Sequence, residues 1–427
     1  MTNWMGTRTG VRTRRLPLGL FLLEFGSLTW LSTLGTIPVP LLFLGYAVAF
    51  VSFAVLVYLL RQEPAVPWLW FLAALVLRVP WLGHVPSLSD DVWRYLNDGR
   101  AQVAGINPYR YAPDAPEAGI YAGPERALIN HAELPTIYPP AAQLAFRTAI
   151  HLGGTLVSWK ILLLVFDLGI GAVLVGFLNV RGIPSGRAAL YLFHPLPVIE
   201  FVGNGHVDAL GIFALFLALW LVAGHRATAG VALAVSIAAK YLALPLLPFF
   251  ARDAGAGKRV AIAAVTVGSL VMLYLPFLDY PPIGSLGVFA RTFEFNGPVY
   301  SILSASGAKL AVRFVLGAAL LLVLCYGWFR HLDAERAAFG WIAAVLLLSP
   351  IAHPWYAIWL LPFVAVRMRW WAFAWSGTAV LPYWVLTDWR ATGVWHLPTW
   401  VMAAEYLPVY LLLLSPIYAT WVSRRNQ

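Results

Sequence analysis

Runs of about twenty apolar residues, separated by short polar or basic stretches, recur along the whole chain. A helix needs about 20 mainly apolar residues to cross a bilayer. Runs near that length fall at about 17–34, 39–60, 67–82, 156–178, 187–201, 206–223, 259–278, 309–329, 337–350, 354–366, 370–386 and 399–421. The pattern predicts an all-α polytopic membrane protein with about twelve transmembrane helices. The first run is too long, and too polar at its exit, for a cleaved signal, so it is read as a retained helix.

One stretch does not fit simple alternation. Residues 227–250 are apolar enough to cross, yet Arg226 precedes them and Arg252, Lys258 and Arg259 follow. A single crossing would put one basic cluster on the wrong side. Lys240 lies in the middle, with Pro245 and Pro248 after it. These features predict a re-entrant helical hairpin with both ends cytoplasmic and Lys240 at its tip. Eleven residues of helix rise only about 16 Å, so the tip must line a protein cavity.

The longest polar stretch is the loop 83–155. Asp91 to Ala104 reads as a short amphipathic helix with Val92, Tyr95, Leu96 and Val103 on one side, and Ala141 to His151 as a second. Asn107-Pro108-Tyr109 and Tyr138-Pro139-Pro140 are turn signals between them. A structured first large loop with short interfacial helices is usually functional.

Composition removes the soluble alternatives. Of 427 residues 60% are hydrophobic and 11% charged, against about 45–50% and about 25% in ordinary globular domains. The single cysteine, Cys325, excludes a disulfide scaffold. A net charge of +10 would suit nucleic acid, but the basic residues sit between apolar runs, as the positive-inside rule requires. Arg8, Arg12, Arg14 and Arg15 place the N-terminus in the cytoplasm, and Arg424 and Arg425 the C-terminus. Asp90, Asp91, Asp98, Asp114, Glu117, Glu125 and Glu133 then fall outside. The chain divides into 1–66, with two N-terminal spans, a central membrane module 67–366 holding the outer loop, and C-terminal spans and a short tail at 367–427.

Four groups of residues converge on the expected outer face. Asp90 and Asp91 can serve as a general base, bind a metal, or cap the helix that follows, the last being the plain structural reading. Arg78, Lys160, Lys240, Lys309 and Arg313 lie near outer ends of membrane segments, where cations need a cavity and a partner or else snorkel to the interface. Snorkelling is weakest for Lys240, and a lipid-linked phosphate is the natural counter-ion there. Glu200, Asn204, His206 and Asp208 form a third group, in which His206 and Asp208 could complete a metal site with Asp91, or Asn204 could cap a helix. His353, between Pro350 and Pro354, with Glu294 and Asn296 nearby in level, is the fourth. No phosphate-binding loop, dinucleotide fingerprint, paired CxxC or nucleophile elbow is present.

The run Ser89-Asp90-Asp91-Val92-Trp93-Arg94-Tyr95-Leu96-Asn97-Asp98-Gly99-Arg100, with Gly105-Ile106-Asn107-Pro108-Tyr109 after it, resembles the GT-C superfamily of integral-membrane glycosyltransferases. It is most similar to bacterial polyprenol-phosphate-mannose-dependent mannosyltransferases. The likeness continues through Tyr138-Pro139-Pro140, residues 203–210 (GNGHVDAL), Ala239-Lys240-Tyr241, residues 293–296 (FEFN) and residues 349–356 (SPIAHPWY). The resemblance implies a GT-C fold in the inner membrane, with the site on the periplasmic face. It implies an inverting transfer from a polyprenyl-phosphate sugar, most like mannose, to a hydroxyl of a glycan or glycolipid. Asp91, or Asp90, would be the catalytic base. Lys240, Arg78, Lys309 and Arg313 would hold the donor phosphate. Asn107, Tyr109, Tyr138, Glu200, His206, Asp208, Glu294, Asn296 and His353 would bind substrate. Ser89 stands where some relatives carry a first acid, so a divalent metal is open and no cofactor is required. The competing classes are a transporter, disfavoured by the lack of an internal repeat, and a carrier flippase or polysaccharide polymerase using the same cations without a base.

Overall fold

The computed structural model describes residues 7–63, 67–121, 123–252 and 255–425, with only the backbone described for 7–15, 67, 256 and 416–425. The side chains of Arg8, Arg12, Arg14, Arg15, Arg424 and Arg425 therefore lie outside the described residues. The regular structure among those described is helical, apart from two isolated bridges pairing Phe295 and Asn296 with Ile351. Five helical stretches among them are long and apolar enough to cross a membrane: Leu16–Thr33, Val39–Leu60, Leu156–Val180, Gly257–Phe277 and Lys309–Phe329. The last two turn most of their apolar surface outward, with Phe314 71%, Leu322 69% and Phe329 75% exposed. Water would not tolerate that surface; lipid does.

Sequence supplies the helix starts. Thr155 and Ser158 form a reciprocal capping box ahead of Leu156–Val180, with each hydroxyl accepting the other's backbone N–H at 3.1 and 3.0 Å. Asp333 accepts from the Arg336 amide at 2.8 Å to open Ala334–Leu348.

The expectation of about twelve unbroken spans needs correction, because several apolar runs are shorter or fractured. Residues 187–201 do not form one helix. They split into Ser185–Ala188, Ala189–Leu192, Pro195–Pro197 and a π-helical turn Val198–Gly203. Pro195 and Pro197 remove amide donors and enforce the breaks. The fragments survive because they are buried in protein rather than facing lipid.

The chain does break at Lys240. Arg226–Ala239 is helical, Lys240 is extended (φ −156°, ψ 126°), and the turns Tyr241–Leu246 and Leu247–Ala251 follow. Helix Ala256–Tyr274 then runs parallel to Arg226–Ala239. A Cβ on Gly230 would meet Thr266 Oγ1 at 3.0 Å, and further along both segments in the same direction Tyr274 OH donates to Tyr241 OH at 3.2 Å. Two successive helices can run parallel only if the chain between them turns back. Arg252 accordingly lies at the far end, donating to the Leu332 carbonyl at 2.8 Å.

The loop helices also form, at Asp91–Val103 and Pro140–His151. They pack closely at Gly99, where a Cβ would stand 2.5 Å from the Phe146 carbonyl oxygen. Val92, Tyr95 and Leu96 face inward as the pattern requires, whereas Val103 is 46% exposed at the fraying end.

Arg78 holds the core rather than a ligand. Its guanidinium donates to Asp167 at 2.5 and 3.3 Å and to the Ala74 and Leu192 carbonyls, and both charged side chains are wholly buried. Tyr191 OH also donates to Asp167 at 2.6 Å. Lys160 is likewise buried, donating to the Trp81 and His84 carbonyls at 3.0 and 2.5 Å. Asp167→Asn is expected to strand the Arg78 charge and cost roughly 3–5 kcal/mol, while the double change Arg78→Met with Asp167→Leu costs far less. Thermal unfolding of the detergent-purified variants would check this.

Candidate functional site

Asp91 is the first residue of its helix, where the N-terminal dipole favours a carboxylate. Its amide donates weakly to Ser89 Oγ (3.4 Å), while its carboxylate meets Tyr95 OH at 3.4 Å. Asp90 makes no capping bond, contrary to the plain structural expectation; it turns away and accepts from Asn130 Nδ2 at 2.5 Å. Close surroundings desolvate the Asp90 carboxyl, and the neighbouring Asp91 charge adds to this, pushing it up to about 6.

Behind Asp91 lies a buried polar row. His206 Nδ1 is 3.7 Å from Asp91 Oδ2, and His206 Nε2 is 3.4 Å from Glu200 Oε2. Glu200 and His206 are fully buried, and Asp91 is 23% exposed. Glu200 sits on the π-turn, where it accepts from Tyr383 OH at 2.9 Å and Asn204 Nδ2 at 3.0 Å. Asn204 thus caps the π-turn through its amide, which donates to the Ile199 carbonyl at 2.7 Å, while its side chain positions Glu200. The turn is completed by Gly205, whose φ of 84° suits glycine, and its carbonyl accepts from Trp159 Nε1 at 2.8 Å.

Asp208 opens the next helix and accepts from Lys240 Nζ at 2.5 Å and Trp359 Nε1 at 2.6 Å. Lys240 also lies 3.8 Å above the Tyr356 ring and stays 29% exposed. An ammonium carries three donors, so its bond to Asp208 leaves others for a ligand.

Breaks in the chain carry the aromatic neighbours. Trp355 stacks on His206 with centroids 3.6 Å apart, and His353 stacks on Trp355 at 4.4 Å. Phe295 continues the stack onto His353 at 4.8 Å, and Trp395 meets Phe295 at 5.6 Å. Residues 293–297 are stapled to this segment by the Phe295 amide to the Pro350 carbonyl (2.9 Å) and the Ala352 amide to the Phe295 carbonyl (2.8 Å). Gly297 is needed there, since a Cβ would lie 2.3 Å from the Ser349 carbonyl oxygen. Asn296, with φ 56°, donates to the Ala352 carbonyl at 3.1 Å and to Glu405 at 2.8 Å.

The remaining residues are placed elsewhere. Lys309 and Arg313 bind Glu294 at 2.7 and 3.1 Å, and Arg313 also donates to the Ala290 and Phe293 carbonyls. Partial burial would raise the Glu294 carboxyl, but hydrogen bonds from Lys309, Tyr300 and Arg313 outweigh it and hold the group below its ordinary value. The expectation that Arg78, Lys309 and Arg313 share a phosphate pocket with Lys240 is therefore corrected: each is committed to a different carboxylate from the one that holds Lys240. Asn107 donates to the Phe277 carbonyl and Asp279 and accepts from the Tyr109 amide; Tyr109 OH donates to the Tyr138 carbonyl at 2.7 Å. That pair ties loop to loop and does not reach Asp91. Tyr138 does approach, its ring edge-on to Tyr95 at 4.9 Å.

Among the described residues, no three His, Cys, Asp or Glu side chains group closely enough to hold a metal ion. Asp208 is spent on Lys240 and Trp359, and Asp90 on Asn130, leaving Asp91 and His206 as a pair without a third donor. The proposed metal set does not fit.

Sequence reasoning missed Asp167, Tyr383, Trp359 and Glu405. Asp167 and Glu405 each carried a signal, as the one acid within the apolar runs 156–180 and 399–421; the other two did not.

The sequence pattern of the family described as alpha-(1->6)-mannopyranosyltransferase, N-terminal domain, matches residues 13–256. That range contains Asp91, His206, Asp208 and Lys240. Across 387 residues the chain is 24% identical to alpha-(1->6)-mannopyranosyltransferase A of Mycobacterium tuberculosis, covering 79% of this chain and 73% of that protein. The chain belongs to the alpha-(1->6)-mannopyranosyltransferase family and is a membrane-embedded glycosyltransferase of the GT-C kind.

Proposed function

We propose that the protein moves a mannosyl group, with inversion, from a polyprenyl-phosphate carrier to a hydroxyl of a glycan or glycolipid at the outer face of the inner membrane. The observation that carries this reading is the pairing of one partly exposed carboxylate, Asp91, with one partly exposed ammonium, Lys240, joined through a buried framework. Family membership supplies the sugar and the reaction class; the carrier is inferred from the lipid setting and from Lys240.

Asp91 takes the proton of the acceptor hydroxyl as that oxygen bonds to the anomeric carbon. The bond from that carbon to the phosphate oxygen breaks on the opposite face, and its electron pair leaves with the phosphate. Lys240 stabilises the charge that grows there, aided by exclusion of water. Asp208 and Tyr356 hold the ammonium in place beforehand, so little reorganisation accompanies the reaction. A flippase or transporter would have no use for an acid fixed at a helix N-terminus and backed by a buried imidazole.

Asp91→Asn is expected to lower kcat by about 10²–10⁴-fold with donor binding retained, measured with purified protein and a polyprenyl-phosphate mannose. Transfer at the wild-type rate would remove Asp91 from the mechanism. Lys240→Ala is expected to weaken donor binding by about tenfold or more, and an unchanged dissociation constant would refute the phosphate contact. As pH falls through about 6, Asp90 gains a proton. The site then holds one negative charge fewer to draw off the acceptor proton, so kcat/KM drops. Asp90→Asn fixes the neutral form: the limb near pH 6 flattens, and the rate at pH 7.5 falls by roughly two- to tenfold.

A further inference from the structure

A cavity opens beyond the aromatic stack that backs Asp91. Its volume is about 300 Å³, and Glu294, Asn296, Tyr300, Lys309 and Trp395 are among the residues that line it. We propose that this cavity is a distal acceptor subsite that takes a neutral glycan chain, with the reacting sugar at Asp91 and a preceding sugar on Trp395. This rests on the reading of the chain as a glycan-extending transferase.

Three observations select that occupant. Phe295, His353, Trp355 and His206 stack in sequence up to the residue that faces Asp91, and Trp395 meets the far end of that stack at a tilt of 47°. The cavity is thus joined to the reacting centre by rigid rings, and it is not an isolated surface dent. Trp395 is 50% exposed at the outer end of that row, offering a flat apolar face of the kind on which the C–H face of a pyranose packs. The polar lining is also of the right chemistry. Glu294 is charged and accepts; Lys309 and the Ser301 hydroxyl donate. Sugar hydroxyls both donate and accept, so they can satisfy each of these groups.

An anionic lipid headgroup is the poorer match. The Glu294 carboxylate lies against both Lys309 and Arg313, and Arg313 is also bonded to two carbonyls. A phosphate placed here would face the like charge of that carboxylate. The platform is also preformed, because the 293–297 segment is stapled to 350–352 and held by Glu405 and Tyr406 from the last helix. Preorganisation of this kind favours tight recognition of a stiff ligand.

The test uses the full-length protein in detergent, titrated with mannose and with a linear alpha-1,6-linked mannotetraose by calorimetry. Mannotetraose is expected to bind about tenfold more tightly than mannose. Trp395→Ala is expected to erase that advantage, and Trp395→Phe to restore most of it. Trp395 stands on an exposed loop, so the variant folds. Asp91→Asn protein is expected to show the same length preference, which separates this inference from the assignment of the base. Equal affinity for the two sugars, an unchanged Trp395→Ala, or displacement of the tetraose by inorganic phosphate would each overturn the proposal.

Discussion

A chain immersed in lipid has nowhere to leave an unpaired backbone amide or an unmatched charge. That constraint organises the whole molecule. Two of the helices that face lipid, Gly257–Phe277 and Lys309–Phe329, are long and apolar, whereas the breaks that carry the site are tucked into protein. The π-turn at 198–203, the extended residue Lys240 and the proline-bounded 349–354 segment all lie within protein, and each finds its hydrogen-bond partners in another break or in a buried side chain. Gathering the breaks at one end of the bundle gathers their polar side chains as well. The site is the place where the fold can afford irregular backbone.

Two kinds of buried charge result, and they do different work. The Arg78–Asp167 pair is sealed at zero exposure and saturated with carbonyls and a tyrosine hydroxyl, which leaves it no capacity for a ligand. The Lys240–Asp208 pair has the same ion-pair length, yet the Lys240 side chain stays 29% exposed and its ammonium carries more donors than that bond uses. Burial and saturation, not charge alone, separate a structural cation from one that can meet substrate.

Much of this was legible in the sequence. The hairpin could be read from a lysine and two prolines inside an apolar run flanked by arginines, because each feature has a local physical cause. The loop helices followed from their amphipathic pattern, and Asp91, His206, Asp208 and His353 were expected at one level, where the fold places them at one end of the bundle. What escaped was pairing across distance. Arg78 resembled a phosphate ligand until Asp167, 89 residues away, was seen against it. Lys309 and Arg313 resembled Lys240 until Glu294 was found between them. Residues 187–201 read as a span because apolar content alone does not reveal that Pro195 and Pro197 would divide a stretch buried on all sides.

The central claim is that Asp91 and the Lys240 tip share the outer side of the membrane, with both ends of the hairpin on the inner side. Thiol labelling of intact spheroplasts tests it directly, using a Cys325→Ala background with Val85→Cys beside the Asp91 loop or His225→Cys before the hairpin. A membrane-impermeant maleimide should label Val85→Cys at once and His225→Cys only after the membrane is opened. Immediate labelling of His225→Cys with protection of Val85→Cys would contradict the account.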